Sequence, residues 1–153
     1  MRSLLYYLRV FFISFEFLVI ITSYFILTHQ SEKISLFLRA SSFNPQALQW
    51  LALYPLGLAA WVFQSGSRVL FPSETADKIL HEWPDYWKLK AHFNIGIIYS
   101  IFWAVSAATP WALGYFYTAY GAIFLAASIL GASISALSFY QANLTIREIL
   151  IKI

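Results

Sequence analysis

Gln64–Phe93 reads QSGSRVLFPSETADKILHEWPDYWKLKAHF. Arg68, Glu74, Asp77, Lys78, Glu82, Asp85, Lys88 and Lys90 all fall inside this stretch. The chain on either side is almost wholly apolar. A polar piece of this length between apolar runs reads as the one substantial water-facing segment of a small polytopic membrane protein. Within it, Pro72-Ser73 followed by Glu74 and Asp77 has the form of a helix start, with Ser73 as N-cap and acids in the first turn. Ala76, Ile79, Leu80 and Trp83 then recur at helical spacing, and Glu74, Asp77, Lys78, His81 and Glu82 take the other side. One short amphipathic helix is therefore expected, ended by Pro84. Asp85 to Lys90 follows as an aromatic and basic return to the membrane, since Trp and Tyr favour the interface and Lys its cytosolic side.

Composition points the same way. The chain has 153 residues, 60% hydrophobic, 20% aromatic and 11% charged. Ordinary soluble domains are roughly 45–50% apolar and about 25% charged. A chain this short exposes too much surface to hide that many apolar residues from water. Lipid removes the problem but requires helices or a closed barrel. The apolar runs are continuous, without alternation, which favours helices over strands. The absence of cysteine excludes disulfides, thiolate catalysis and Cys-type zinc sites.

Outward from the polar stretch, four spans are expected. The first covers about residues 8–28, centred on Val10–Thr28 (VFFISFEFLVIITSYFILT), enough to cross a hydrocarbon layer of about 30 Å. It is too long and too aromatic for a signal peptide, and no small-residue cleavage site follows. His29–Gln46 reads as a linker carrying Glu32, Lys33 and Arg39, closed by an Asn44-Pro45 turn. Residues 47–63 form the second span, with Pro55 suggesting a kink and Gln64-Ser65-Gly66-Ser67 interrupting it. Residues 95–113 are the third span, ended by Thr109-Pro110-Trp111. Residues 115–140 are the fourth, joined to the third by a tight uncharged connection around Gly114–Tyr117. The tail, residues 143–153, reads as an interfacial helix or a continuation of span four. The fold class is thus all-α: a single four-helix transmembrane domain with a cytosolic loop over 64–93.

Four spans put both ends and the central loop on one side. That side carries Arg2, Arg9, Arg68, Lys78, Lys88, Lys90, Arg147 and Lys152, against Lys33 and Arg39 on the other. The bias predicts cytoplasmic termini in a plasma or inner membrane. The Asn143-Leu144-Thr145 sequon then lies on the wrong side for glycosylation.

Few residues carry chemistry. Glu16 is the one charge well inside an apolar span, where an embedded carboxylate faces protein or water. Arg9 lies two turns earlier on roughly the same face, so the two form a conceivable pair. Span four repeats small residues, Ala127, Gly131 and Ser135 on one ridge and Ser128, Ala132 and Ala136 on the next. Ser100, Ala104 and Ala108 do the same in span three. Such ridges let helices approach closely, within one subunit or between copies. His81, Glu82, Asp85 and His92 match no metal motif, and no cofactor or metal is expected. No phosphate-binding glycine loop, nucleophile elbow or triad spacing is present. Arg68, Trp83, Tyr86, Trp87, Lys88 and Lys90 read as membrane anchoring and partner contact rather than as nucleic-acid binding.

The layout resembles the small membrane subunit of the Kiwa anti-phage defence system, a short four-pass protein with a cytosolic middle loop. The resemblance covers the whole chain as architecture. It implies a homo-oligomer of the bacterial inner membrane that senses phage attack and works with a soluble DNA-binding partner. Read from the residues alone, the first expectation is a non-enzymatic membrane sensor or scaffold presenting its loop and termini to a soluble protein. The alternative is a small oligomeric channel or transporter using Glu16, and a membrane enzyme ranks last.

Overall fold

A computed structural model describes residues 2–41, 44–70 and 86–151, with side chains placed for 4–41, 44, 46–67 and 86–146. The expected amphipathic helix over Ser73–Trp83 lies outside the described residues. Five helices occur among the described residues: α1 (Arg2–Phe12), α2 (Phe15–Ala40), α3 (Pro45–Leu70), α4 (Tyr86–Leu113) and α5 (Ala119–Ile151).

The expected first span is not one straight helix. It breaks at Ile13-Ser14, and the two halves meet at 51°. Ser14 is the cause. Its backbone is extended (φ −80°, ψ 152°), and its hydroxyl accepts from the Phe17 amide at 3.1 Å as the N-cap of α2. The same hydroxyl donates to the Phe11 carbonyl at 3.0 Å, and Tyr99 of α4 donates to that carbonyl at 2.8 Å. Side chains thus satisfy backbone groups that the break leaves without helical partners. Beyond the break, α2 runs through the expected linker to Ala40. Ile34, Leu36, Phe37 and Leu38 are interspersed with helix-compatible polar residues, and no Gly or Pro stops the helix before Pro45.

The other bounds shift for equally local reasons. Asn44 caps α3 by accepting from the Gln46 amide at 3.0 Å, and Pro45 takes the first helical position, where its missing N–H costs nothing. Gln64-Ser65-Gly66-Ser67 does not interrupt α3. Ser67 donates back to the Gln64 carbonyl at 2.9 Å, and Gly66 is buried against Phe139 and Ile97. This glycine makes room for a neighbour instead of making a turn. The stretch expected as a loop before the third span is already helical from Tyr86. At the far end, Gly114 adopts φ +69°, the left-handed conformation that stops α4. The fourth helix starts at Ala119, not at Tyr115, because Thr118 caps it: its hydroxyl accepts from the Gly121 amide at 3.1 Å and donates to the Tyr115 carbonyl at 2.8 Å. Its tail is a continuation of the same helix to Ile151.

Packing fixes the topology. The Gly114–Thr118 turn makes α4 and α5 an antiparallel hairpin. α3 runs alongside α5, with Ala52 against Phe116 and Leu125, and Val62 against Phe93, Phe139 and Ile146. α2 runs opposite to α5: Glu16 meets Ser135, and Ser31–Arg39 reaches Thr118–Tyr120. α1 lies along α4, through Tyr6–His92, Tyr7–Asn94 and Phe11–Tyr99 contacts. The four long helices therefore alternate in direction. One end of the bundle gathers the start of α1, the end of α3, the start of α4 and the end of α5. We call it the basic end. The opposite, turn end gathers Ala40, Pro45 and the α4–α5 turn.

The interior is built on Ile95, Tyr99, Trp103, Ala127 and Ala132, with Val10, Phe17 and Leu58 packed around them. Outside it, Leu18, Phe25, Trp50, Leu53, Phe63, Ile98, Val105 and Leu137 stay exposed. So much exposed apolar surface is a liability in water and ordinary in hydrocarbon. α4 and α5 are long and apolar enough to cross a membrane, and α1 with α2 makes a third crossing if the bent pair counts as one. The second expected span, in α3, is not among these. Gln46, Gln49, Tyr54, Pro55 and Gln64 dilute its apolar character.

Candidate functional site

At the basic end the bend between α1 and α2 opens a cleft of about 640 Å³ against α4 and α5. Its polar lining includes Tyr6, Arg9, Glu16, Lys88 and His92, and its apolar walls include Val10, Leu89, Phe93, Phe139 and Ala142. The helix register explains the convergence. Lys88, His92, Ile95, Gly96 and Tyr99 recur at steps of three and four along α4 and so share one face. From Lys88 to Tyr99 that face descends by about 16 Å. α1 supplies the facing wall, and the break at Ser14 turns Glu16 inward at its foot.

Glu16 is 7% exposed. Its carboxyl accepts from the Ser135 hydroxyl of α5 at 3.2 Å. The pair expected with Arg9 does not form, because the bend at Ile13-Ser14 intervenes; both residues line the cleft, but Arg9 remains on its exposed side. The Arg9 carbonyl accepts from the Ile13 amide at 3.0 Å, but its guanidinium has no hydrogen-bond or ion-pair partner among the described residues. Tyr6 hydroxyl and His92 Nε2 are 3.0 Å apart, with the donor set by the imidazole tautomer. Tyr6 also meets Trp87 edge-on at 4.9 Å.

The residues expected to face a partner separate into distinct surroundings. Trp87 is 43% exposed, whereas Tyr86 is buried and so belongs to packing. Lys90 Nζ lies 4.7 Å from the Tyr86 ring centroid, a cation–π distance. Lys88 lines the cleft, with its Nζ 5.9 Å from the Trp87 ring centroid. Arg68 lies in α3 with its side chain outside the described set, and Trp83, His81, Glu82 and Asp85 lie outside the described residues altogether.

The small-residue ridges of α5 are covered within the chain. Ala127, Ser128, Ala132 and Ser135 are buried. Gly131 is pressed against the Trp103 indole, where a side chain would collide. A second copy cannot reach these positions without unpacking the bundle. Sequence reasoning missed three participants: Ser135 as the Glu16 partner, His92 as a lining group and Ser14 as the break. The first two depend on contacts between residues more than 80 positions apart, for which periodicity carries no signal. Ser14 was visible only as one hydroxyl in an apolar run.

Compared with protein-family models, with curated proteins and with solved structures, the chain matches none of them.

Proposed function

We propose that this chain is a non-enzymatic membrane sensor or scaffold whose basic end faces the cytosol and presents a soluble partner with Trp87, Lys90 and the 64–85 stretch. The observation that carries the reading is the convergence of helix ends. α1 begins beside the start of α4, and Leu70 and Tyr86, both within the polar stretch, lie at that same end. Arg2, Arg9, Arg68, Lys88, Lys90 and Arg147 therefore belong to one end of one bundle, as cytosolic orientation favours.

In this reading α3 is the fourth crossing. Its 26 residues extend about 39 Å. Trp50, Leu51, Leu53, Tyr54, Trp61 and Phe63 on its exposed surface suit lipid, and it is held between α4 and α5. Self-association is part of the proposal and falls to such exposed faces, since the α5 ridges are covered. The anti-phage setting rests on the layout resemblance alone.

A Trp83→Ala, Trp87→Ala variant tests the partner surface. Trp87 is 43% exposed, and the variant is expected to insert normally. It should lose at least half of the soluble protein that co-purifies with the wild-type chain. Unchanged co-purification by the inserted variant sinks the reading. The channel alternative has less support: Glu16 is tied to Ser135 inside the bundle. It requires liposome ion flux that Glu16→Gln reduces.

A further inference from the structure

We infer that the cleft at the basic end binds the phosphate of an anionic membrane phospholipid. The inference rests on the proposed orientation only for which leaflet supplies the lipid. Arg9 carries the argument. A guanidinium has five donors and no acceptors, and it stays charged in any protein setting. A lone arginine on a membrane helix normally snorkels outward to the headgroups. Here Arg9 from α1 lines one cavity with Lys88 and His92 from α4, while Lys88 Nζ also lies 5.9 Å from the Trp87 ring centroid. Arg9 falls between the Tyr6–His92 and Phe11–Tyr99 contacts, which sets it level with the middle of the cleft. A phosphate is the anion whose tetrahedral oxygens accept from an arginine fork and a lysine together.

The rest of the lining selects a lipid over a free ion. Leu89, Phe93, Phe139 and Ala142 continue the cavity with apolar wall, which a bare phosphate leaves unfilled and an acyl stem covers. The volume, about 640 Å³, accommodates a headgroup and the first part of a chain. Glu16 closes the inner end and is the one carboxylate among the described lining residues. Its carboxyl, already accepting from the Ser135 hydroxyl, offers a phosphate no arginine- or lysine-type donor there, and so leaves the phosphate to Arg9 and Lys88. Basic pockets between membrane helices on the cytosolic side are suited to such headgroups.

The experiment uses the full chain in detergent, with fluorescent phosphatidylglycerol as probe and phosphatidylcholine and inorganic phosphate as competitors. Wild type should bind the probe, with phosphatidylcholine and inorganic phosphate displacing it poorly. The Arg9→Gln, Lys88→Gln double variant should bind roughly 10-fold or more weakly, the scale of losing charge-assisted hydrogen bonds. Ser138→Trp keeps every charge and fills the cleft, and should weaken the probe comparably; Lys33→Gln, at the turn end, should not. Equal binding by the double variant and wild type overturns the inference. So does displacement by inorganic phosphate as effective as by unlabelled phosphatidylglycerol, which assigns the site to a soluble anion. Circular dichroism of each variant checks that a loss is not unfolding; if both cleft variants unfold, Arg9→Lys, which keeps the charge but loses the fork, decides by intermediate or unchanged affinity. A wild-type chain that does not bind the probe but still co-purifies its soluble partner removes this inference alone, and one that binds the probe but co-purifies no partner removes only the partner reading.

Discussion

At the scale of single residues, the bundle depends on a few positions where a side chain does what the backbone cannot. Ser135 gives Glu16 its hydrogen bond in the interior. Ser135→Ala leaves the carboxyl without it, and thermal or denaturant unfolding in detergent should show a loss of about 1 kcal/mol, the usual scale for one such bond between membrane helices. Glu16→Gln keeps an acceptor and should cost less than Ser135→Ala. If the two cost the same, the carboxyl is held by more than this hydroxyl. Gly131 has a steeper dependence, because the Trp103 ring occupies the place of its side chain. Gly131→Leu should destabilise by at least about 1–3 kcal/mol through overpacking, while Gly57→Leu, with open space around it, should be near neutral. The sequence showed that Gly131 lay on a small-residue ridge. It did not show which ring used the space, because Trp103 and Gly131 meet only after α4 and α5 fold back on each other.

The elements show where a linear reading of apolar runs succeeds and where it stops. Runs of Ile, Leu, Phe and Ala located the third and fourth helices well, since hydropathy averages over many residues and is insensitive to any one. Ends and breaks turn on single groups. Gln64-Ser65-Gly66-Ser67 has the composition of a turn, yet α3 passes through it because Gly66, lacking a side chain, admits the Phe139 ring. VFFISFEF has the composition of an unbroken span, yet it breaks because Ser14 and Tyr99 both donate to the Phe11 carbonyl. That explanation predicts a response at the level of the helix pair. Ser14→Ala with Tyr99→Phe removes both donors, and should cost about 1 kcal/mol for the lost cap together with a comparable amount for the interhelical bond. It should also relax the bend. Spin labels at Leu5 and Ile21, both exposed, report the angle as a distance, which should lengthen toward that of a straight helix. An unchanged distance would place the cause of the bend in the packing of α1 on α4 instead.

For the whole molecule the consequential property is that its two ends differ. The bundle alternates direction, so any membrane crossing by α4 and α5 sets the sidedness of everything joined to them. Arg9, Lys88 and Lys90 belong to one end, and Lys33 and Arg39 to the other. Moving basic loops across a charged membrane is costly, and the more basic end is retained on the cytosolic side. The native chain has no cysteine, so single substitutions report position without background. Ser41→Cys, just past α2 at the turn end, should react with a membrane-impermeant maleimide on intact cells. Ser3→Cys and Ser73→Cys should react only after lysis. Four crossings require Ser3 and Ser73 to agree with each other and to oppose Ser41. The placement of α3 is what this pattern decides. If α3 does not cross, the polar stretch after Leu70 stays on the side of Ser41, and Ser73→Cys reacts in intact cells while Ser3→Cys does not. The cleft and its cations keep their place in the bundle in that case, but the partner surface beside Trp87 is divided by the bilayer from the side on which α1 starts. Such a division conflicts with the Tyr6–Trp87 contact, which holds the starts of α1 and α4 together. The proposed four-pass reading therefore needs that contact to persist in the membrane, and the Ser73→Cys result tests it.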